Sequence, residues 1–159
     1  MTRRKFITTT GATALAAGTA GSALAATKIQ AKPKSSKRKV STERAPKPVG
    51  PYSQGIVAGN TIYVAGQGPF DPQTGKMPAS FEEQAVQVFE NIKAIVEAGG
   101  AKLADVVNVN VYLGDLANFA KMNEVYRRYF SGDFPARATV GTQLLGGMGI
   151  EVACIAVKG

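Results

Sequence analysis

The 159-residue chain has no histidine, no tryptophan and one cysteine, Cys154. Without histidine there is no Ser-His or Cys-His catalytic pair, and the commonest ligand of zinc and non-haem iron is missing, so no metal site is expected. A single cysteine excludes an intramolecular disulfide. In an apolar stretch it reads as a small core residue rather than a nucleophile. The only extended apolar stretch, near the N-terminus, is broken by Gly and Thr and is short for a membrane span. The glycine-rich pieces "AGQG" and "LGGMG" match neither the P-loop pattern nor a dinucleotide fingerprint opening a helix, so phosphate cradling is set aside.

The charge is unevenly placed. A net charge of +8 suggests a nucleic-acid binder, but ten of the 19 cations lie before residue 45. Residues 45–159 hold nine cations and ten acids and are close to neutral. The basicity belongs to an arm rather than to a binding face, and no nucleic-acid partner is expected.

That arm has two parts. "MTRRKFITTTGATALAAGTAGSALA" runs from Arg3-Arg4-Lys5 through a mild apolar stretch to Ala23-Leu24-Ala25, an A-x-A cleavage pattern. Its "TRRKFI" resembles the twin-arginine export signal. Residues 1–25 are therefore expected to be a signal peptide cut between Ala25 and Ala26, leaving a periplasmic or secreted protein. Residues 26–44, rich in Lys, Ser and Pro, offer little to bury and read as a flexible basic linker. Such a linker could touch an anionic membrane or cell wall weakly, although a plain spacer is the simpler reading.

From Ala45 the texture becomes that of one folded domain, 45–159. "GPYSQGIVAGNTIYVAGQ" predicts two strands around a Gly59-Asn60 turn. "SFEEQAVQVFENIKAIVEAGG" predicts a helix opened by a Ser80/Glu83 capping box, with Phe81, Ala85, Val88, Ile92 and Ile95 on one stripe and Gly99-Gly100 as its stop. "DVVNVNVYL" alternates, with Val107, Val109 and Val111 on one side and Asn108, Asn110 and Tyr112 on the other. "DLANFAKMNEVYRRYF" predicts a second helix capped by Asp115, with Leu116, Phe119, Met122, Tyr126 and Tyr129 inward. "ARATVGTQL" and "IEVACIAV" are closing strands. The class is α+β, with two helices on one face of a sheet. The other face has nothing left in the chain to cover it, so self-association is expected.

Two charges in strands need explaining, Arg137 in "FPARATVG" and Glu151 in "IEVACIAV". They could pair with each other across adjacent strands. Alternatively Arg137 stays open, and its planar fork takes a small carboxylate through two parallel hydrogen bonds. In that case Glu151 is the acid–base candidate. Tyr52 offers an aromatic wall with a hydroxyl, and Gly66 allows close main-chain approach. Asn123 reads as an ordinary helix amide, and Glu82 and Glu83 as first-turn carboxylates favoured by the helix dipole.

Together, "GPYSQG", "VAGQGPFDPQTG", "NIKAIVEAGGAKLADVVNVNVYLGDLANFAKMNEVYRRYF", "PARATV" and "IEVACIAV" resemble the Rid family, the reactive intermediate imine deaminases, also called the YjgF or L-PSP family. The similarity runs from about Pro46 to Val157. It implies a chorismate-mutase-like fold and a homotrimer whose sheets line a central barrel, with clefts between subunits. It also implies hydrolysis of 2-imino acids to 2-keto acids and ammonia without a metal or organic cofactor. By resemblance Arg137 binds the substrate carboxylate and Glu151 positions water. Tyr52, Gly66, Asn123 and Thr139 occupy the remaining substrate-binding positions. Ala65 stands where the family often has serine, and "LLGGMG" lacks a proline often found there, which bears on substrate range. Two other readings stay open: a non-catalytic keto- or imino-acid-binding or holdase-like protein, favoured somewhat by export, and an endoribonuclease, disfavoured by the neutral domain.

Overall fold

The computed structural model describes residues 36–159. The expected signal peptide and the first part of the linker lie outside the described residues. Within them, the sheet begins before the domain boundary expected from composition. Strand β1 (Lys37–Val40) lies in the segment read as linker and pairs antiparallel with β2 (Gly55–Ala58). Three of its four residues are cationic and solvent-exposed, which suits an edge strand. Val40 is buried, and the Arg38 guanidinium donates to the Gly99 carbonyl at 3.2 Å. Composition hid this strand because its stability comes from its neighbours. Just beyond it, Gln54 is buried, and its Nε2 donates to the carbonyls of Thr42, Ala45 and Pro46 while its Oε1 accepts the Thr42 N–H. One side-chain amide thus satisfies the backbone of a turn that has no ladder of its own.

β2 and β3 (Thr61–Gln67) form the expected hairpin, with Gly59 at φ 63°, a left-handed value that favours glycine. Helix α1 (Phe81–Gly99) has the expected reciprocal Ser80–Glu83 capping box, and Gly100 closes it at φ 91°. Ala85, Val88, Ile92 and Ile95 are fully buried, each of the larger ones stabilising the fold by roughly 1.5–3 kcal/mol.

β4 (Val106–Leu113) departs from strict alternation. A register irregularity between Val106 and Asn108 turns Val107 outward, 48% exposed, and Val106 takes the buried place. The second helix starts later than expected. Asp115 caps a short 3-10 turn, its carboxylate accepting the Ala117 N–H, and α2 proper is Phe119–Tyr129. Leu116 and Phe119 are therefore exposed, and the buried stripe is Met122, Val125 and Tyr126.

β5 (Ala136–Gly141) and β6 (Ile150–Val157) are not neighbours. β6 inserts antiparallel between β3 and β4, and β5 runs parallel to β4 at the sheet edge, giving the order β1-β2-β3-β6-β4-β5. The result is the expected α+β layer: a six-stranded mixed sheet with its helices packed on one face. The core lies between them, built from Phe89, Ile92 and Ile95 of α1 against Ile62, Val109, Val152 and Cys154. On the uncovered face Tyr63, Ile155, Tyr112 and Val140 are half-buried or exposed.

Candidate functional site

The topology settles the relation between Arg137 and Glu151. In register, Arg137 lies opposite Val109, and Glu151 opposite Tyr112. Cross-strand partners share a face, and residues three apart in a strand do not. Arg137 therefore projects to the helix face, Glu151 to the uncovered face, and β4 runs between their strands. The ion pair that adjacency would allow is not formed. Among the described residues, none of the ion pairs involves Arg137.

Being on an edge strand, Arg137 is also exposed. Its Nη2 donates to Asn123 Oδ1 at 2.8 Å, Nη1 lies 3.8 Å from Met122 Sδ, and Cζ sits 4.6 Å from the ring centroid of Tyr126. A cavity of about 330 Å³ opens beside it, lined by Asn123, Tyr126, Arg127, Phe134, Pro135 and Arg137. Burial pushes the Tyr126 hydroxyl above its ordinary pKa, against the opposing pull of the Arg137 charge. Thr139, two residues along β5, faces the same side. Its Oγ1 is buried and has no hydrogen-bond partner among the described residues.

The other expected residues gather elsewhere. Tyr52, Gly66 and Glu151 line a second cavity of about 250 Å³, together with Val49, Phe70, Leu145 and Met148. The Glu151 carboxylate lies against Gly66 so closely that a Cβ built there would fall on Oε1. Glycine at 66 thus makes room for the acid. Tyr52 is 47% exposed, and its hydroxyl accepts the Val49 N–H at 3.3 Å. The six expected residues therefore form two groups: Arg137, Asn123 and Thr139 in one, Tyr52, Gly66 and Glu151 in the other.

Sequence reasoning missed the amides that hold the loops of the second cavity. Asn91, fully buried on α1, donates to the carbonyls of Gly68 and Phe70 at 3.1 and 3.0 Å. Gln84, also buried, accepts the Gly149 N–H at 2.8 Å and donates to the Pro78 carbonyl. A signal was present: two amides seven residues apart, on the otherwise apolar buried side of a helix, need backbone partners. Cys154 is buried and its thiol is pushed up to about 12 by that burial, so it serves as packing.

A small α+β protein with a solvent-facing arginine on an edge strand and a carboxylate in a separate cleft defines the class. Residues 42–158 match the family model described as Endoribonuclease L-PSP. The chain belongs to this family, also known as YjgF/RutC/Rid. A RutC family protein of Pyrococcus abyssi is 54% identical, the match covering 77% of this chain and 98% of that one. The 2-iminobutanoate/2-iminopropanoate deaminase of Escherichia coli K12 is 43% identical over 75% of this chain and 96% of its own length. Among solved structures, RidA from an Antarctic Psychrobacter superposes with a TM-score of 0.75 at 47% identity, covering 76% of this chain and 99% of that one. E. coli TdcF with bound serine matches at a TM-score of 0.75 and 38% identity, covering 77% and 99%.

Proposed function

We propose that this chain is a deaminase that hydrolyses 2-imino acids of the 2-iminopropanoate and 2-iminobutanoate type to 2-keto acids and ammonia. The observation that carries this reading is Arg137: a solvent-facing guanidinium beside a cavity, with no carboxylate paired to it among the described residues. Relatives named as deaminases of these imines support it.

The two residue groups act together in a homotrimer, the Arg137 cavity of one subunit closing against the Glu151 cavity of its neighbour. The uncovered sheet face, which needs a partner, supports that assembly. Arg137 binds the substrate carboxylate with its fork, fixing the imine carbon. Tyr52 walls the pocket, and the main chain at Gly66, Thr139 and the Asn123 amide complete the contacts. Glu151 accepts a proton from water as the oxygen attacks the C=N carbon of the protonated imine. The resulting carbinolamine takes that proton on nitrogen; Glu151 then accepts the hydroxyl proton as the C–N bond breaks and the carbonyl forms, and that proton leaves with ammonia as ammonium. Free imines hydrolyse unaided, so a modest rate enhancement suffices. No step uses a metal or organic cofactor. The export-like pattern of residues 1–25 supports a periplasmic or secreted location for this activity.

The test generates the imine in situ with an amino-acid oxidase and follows its lifetime by semicarbazide trapping and ammonia release. Wild-type protein shortens the imine's lifetime, and Arg137→Ala is expected to abolish the effect. Equal rates for the two proteins would refute the mechanism. Binding of keto acids with unchanged imine lifetime would instead support a binding or holdase-like protein.

A further inference from the structure

An arginine on an edge strand would ordinarily wander among rotamers, but Arg137 is held. Every support comes from one face of α2 at helical spacing: Phe119, Met122, Asn123 and Tyr126. The Tyr126 ring is the nearest aromatic surface, 4.6 Å from the guanidinium carbon, and Phe119 is farther at 5.9 Å. Tyr126 is in turn immobilised, only 3% exposed. Phe89 meets it edge-on at 5.6 Å between centroids, and Phe130 and Phe134 lie at 4.5 and 6.4 Å.

The hydroxyl of Tyr126 makes no contribution to this arrangement. It is buried and has no hydrogen-bond partner among the described residues, which costs folding free energy that phenylalanine would not. The ring does matter. A π face attracts a cation without neutralising it, and the Asn123 oxygen is likewise uncharged. A carboxylate in the same place would consume the fork. These supports order the guanidinium and leave its charge unanswered.

We propose that Tyr126 is the positioning residue for Arg137: its ring face holds the guanidinium pre-ordered against α2, so that an incoming carboxylate meets one conformer rather than many. This rests on the reading of Arg137 as the carboxylate anchor. The aromatic face acts through Arg137 and touches no reacting atom, so it governs binding more than turnover.

The test uses the full-length protein and 2-oxobutanoate as the probe, with Kd, KM, kcat and Tm measured on each variant. Tyr126→Phe keeps the ring and is expected to bind like wild type. Mono-, di- and trifluorinated phenylalanine at 126 keep its shape while draining electron density from the face. Kd and KM are expected to rise with each fluorine, reaching about tenfold, while kcat and Tm stay level. Tyr126→Leu is expected to raise both further. A Kd that stays flat across the fluorinated series, with Tm unchanged, overturns the positioning role, and that series decides even if the leucine variant does not fold. Arg137→Ala separates the two ideas. If it loses binding while the fluorinated series is flat, only the role of Tyr126 falls. If it binds 2-oxobutanoate like wild type, the carboxylate anchor falls and takes the positioning role with it.

Discussion

At the scale of single residues, the structure explains why a glycine stands at 66. Its backbone is not among those at positive φ, so alanine can adopt it. The obstacle is the Glu151 carboxylate, which occupies the space a methyl would need. Gly66→Ala is therefore expected to fold with nearly wild-type Tm and to displace the carboxylate, lowering kcat at least about tenfold in the imine assay. Unchanged kcat would separate Glu151 from catalysis. The glycine and the glutamate were both found in the sequence, but their contact was not, because they belong to strands 85 positions apart. Arg137 was legible as a charge out of place. Its supports were less so: Asn123 read as an ordinary helix amide and Tyr126 as ordinary core, since the distance from either to β5 depends on how α2 lies on the sheet.

At the scale of elements, strong local signals were readable. The β2–β3 hairpin and α1 announce themselves through turn chemistry, a capping box and a helical stripe. What depends on partners was not readable. β1 has a linker's composition and becomes a strand only because β2 offers it a ladder. β5 and β6 follow one another through a short glycine-rich connection that suggests neighbours, yet β6 goes to the middle of the sheet and β5 to the edge. The role of β1 leads to a prediction. A chain starting at Ser41 loses the buried Val40, the Arg38–Gly99 contact and the β1–β2 pairing, whereas a chain starting at Ser36 keeps them. Urea denaturation should show the shorter chain less stable by at least about 2 kcal/mol. Equal midpoints would mean that β1 only decorates the sheet.

At the scale of the whole molecule, the two residue groups lie on opposite faces of one sheet, so a single chain does not bring Arg137 and Glu151 together. Assembly from neighbours predicts complementation. Arg137→Ala and Glu151→Gln proteins, each inactive alone, should regain activity when co-expressed, because some interfaces then pair an intact arginine with an intact glutamate. Random mixing in a cyclic, head-to-tail assembly makes about a quarter of the sites whole. Failure to recover activity in mixed oligomers, verified by two affinity tags, would mean that Arg137 and Glu151 do not share a site across subunits.

The deep burial of Cys154 has a consequence for how the protein withstands an oxidising solution. With its one thiol sealed in the core, the folded domain offers foreign thiols nothing to couple to. Such a molecule can be stored, purified and used without a reductant to guard its thiol, because disulfide coupling has to wait for unfolding.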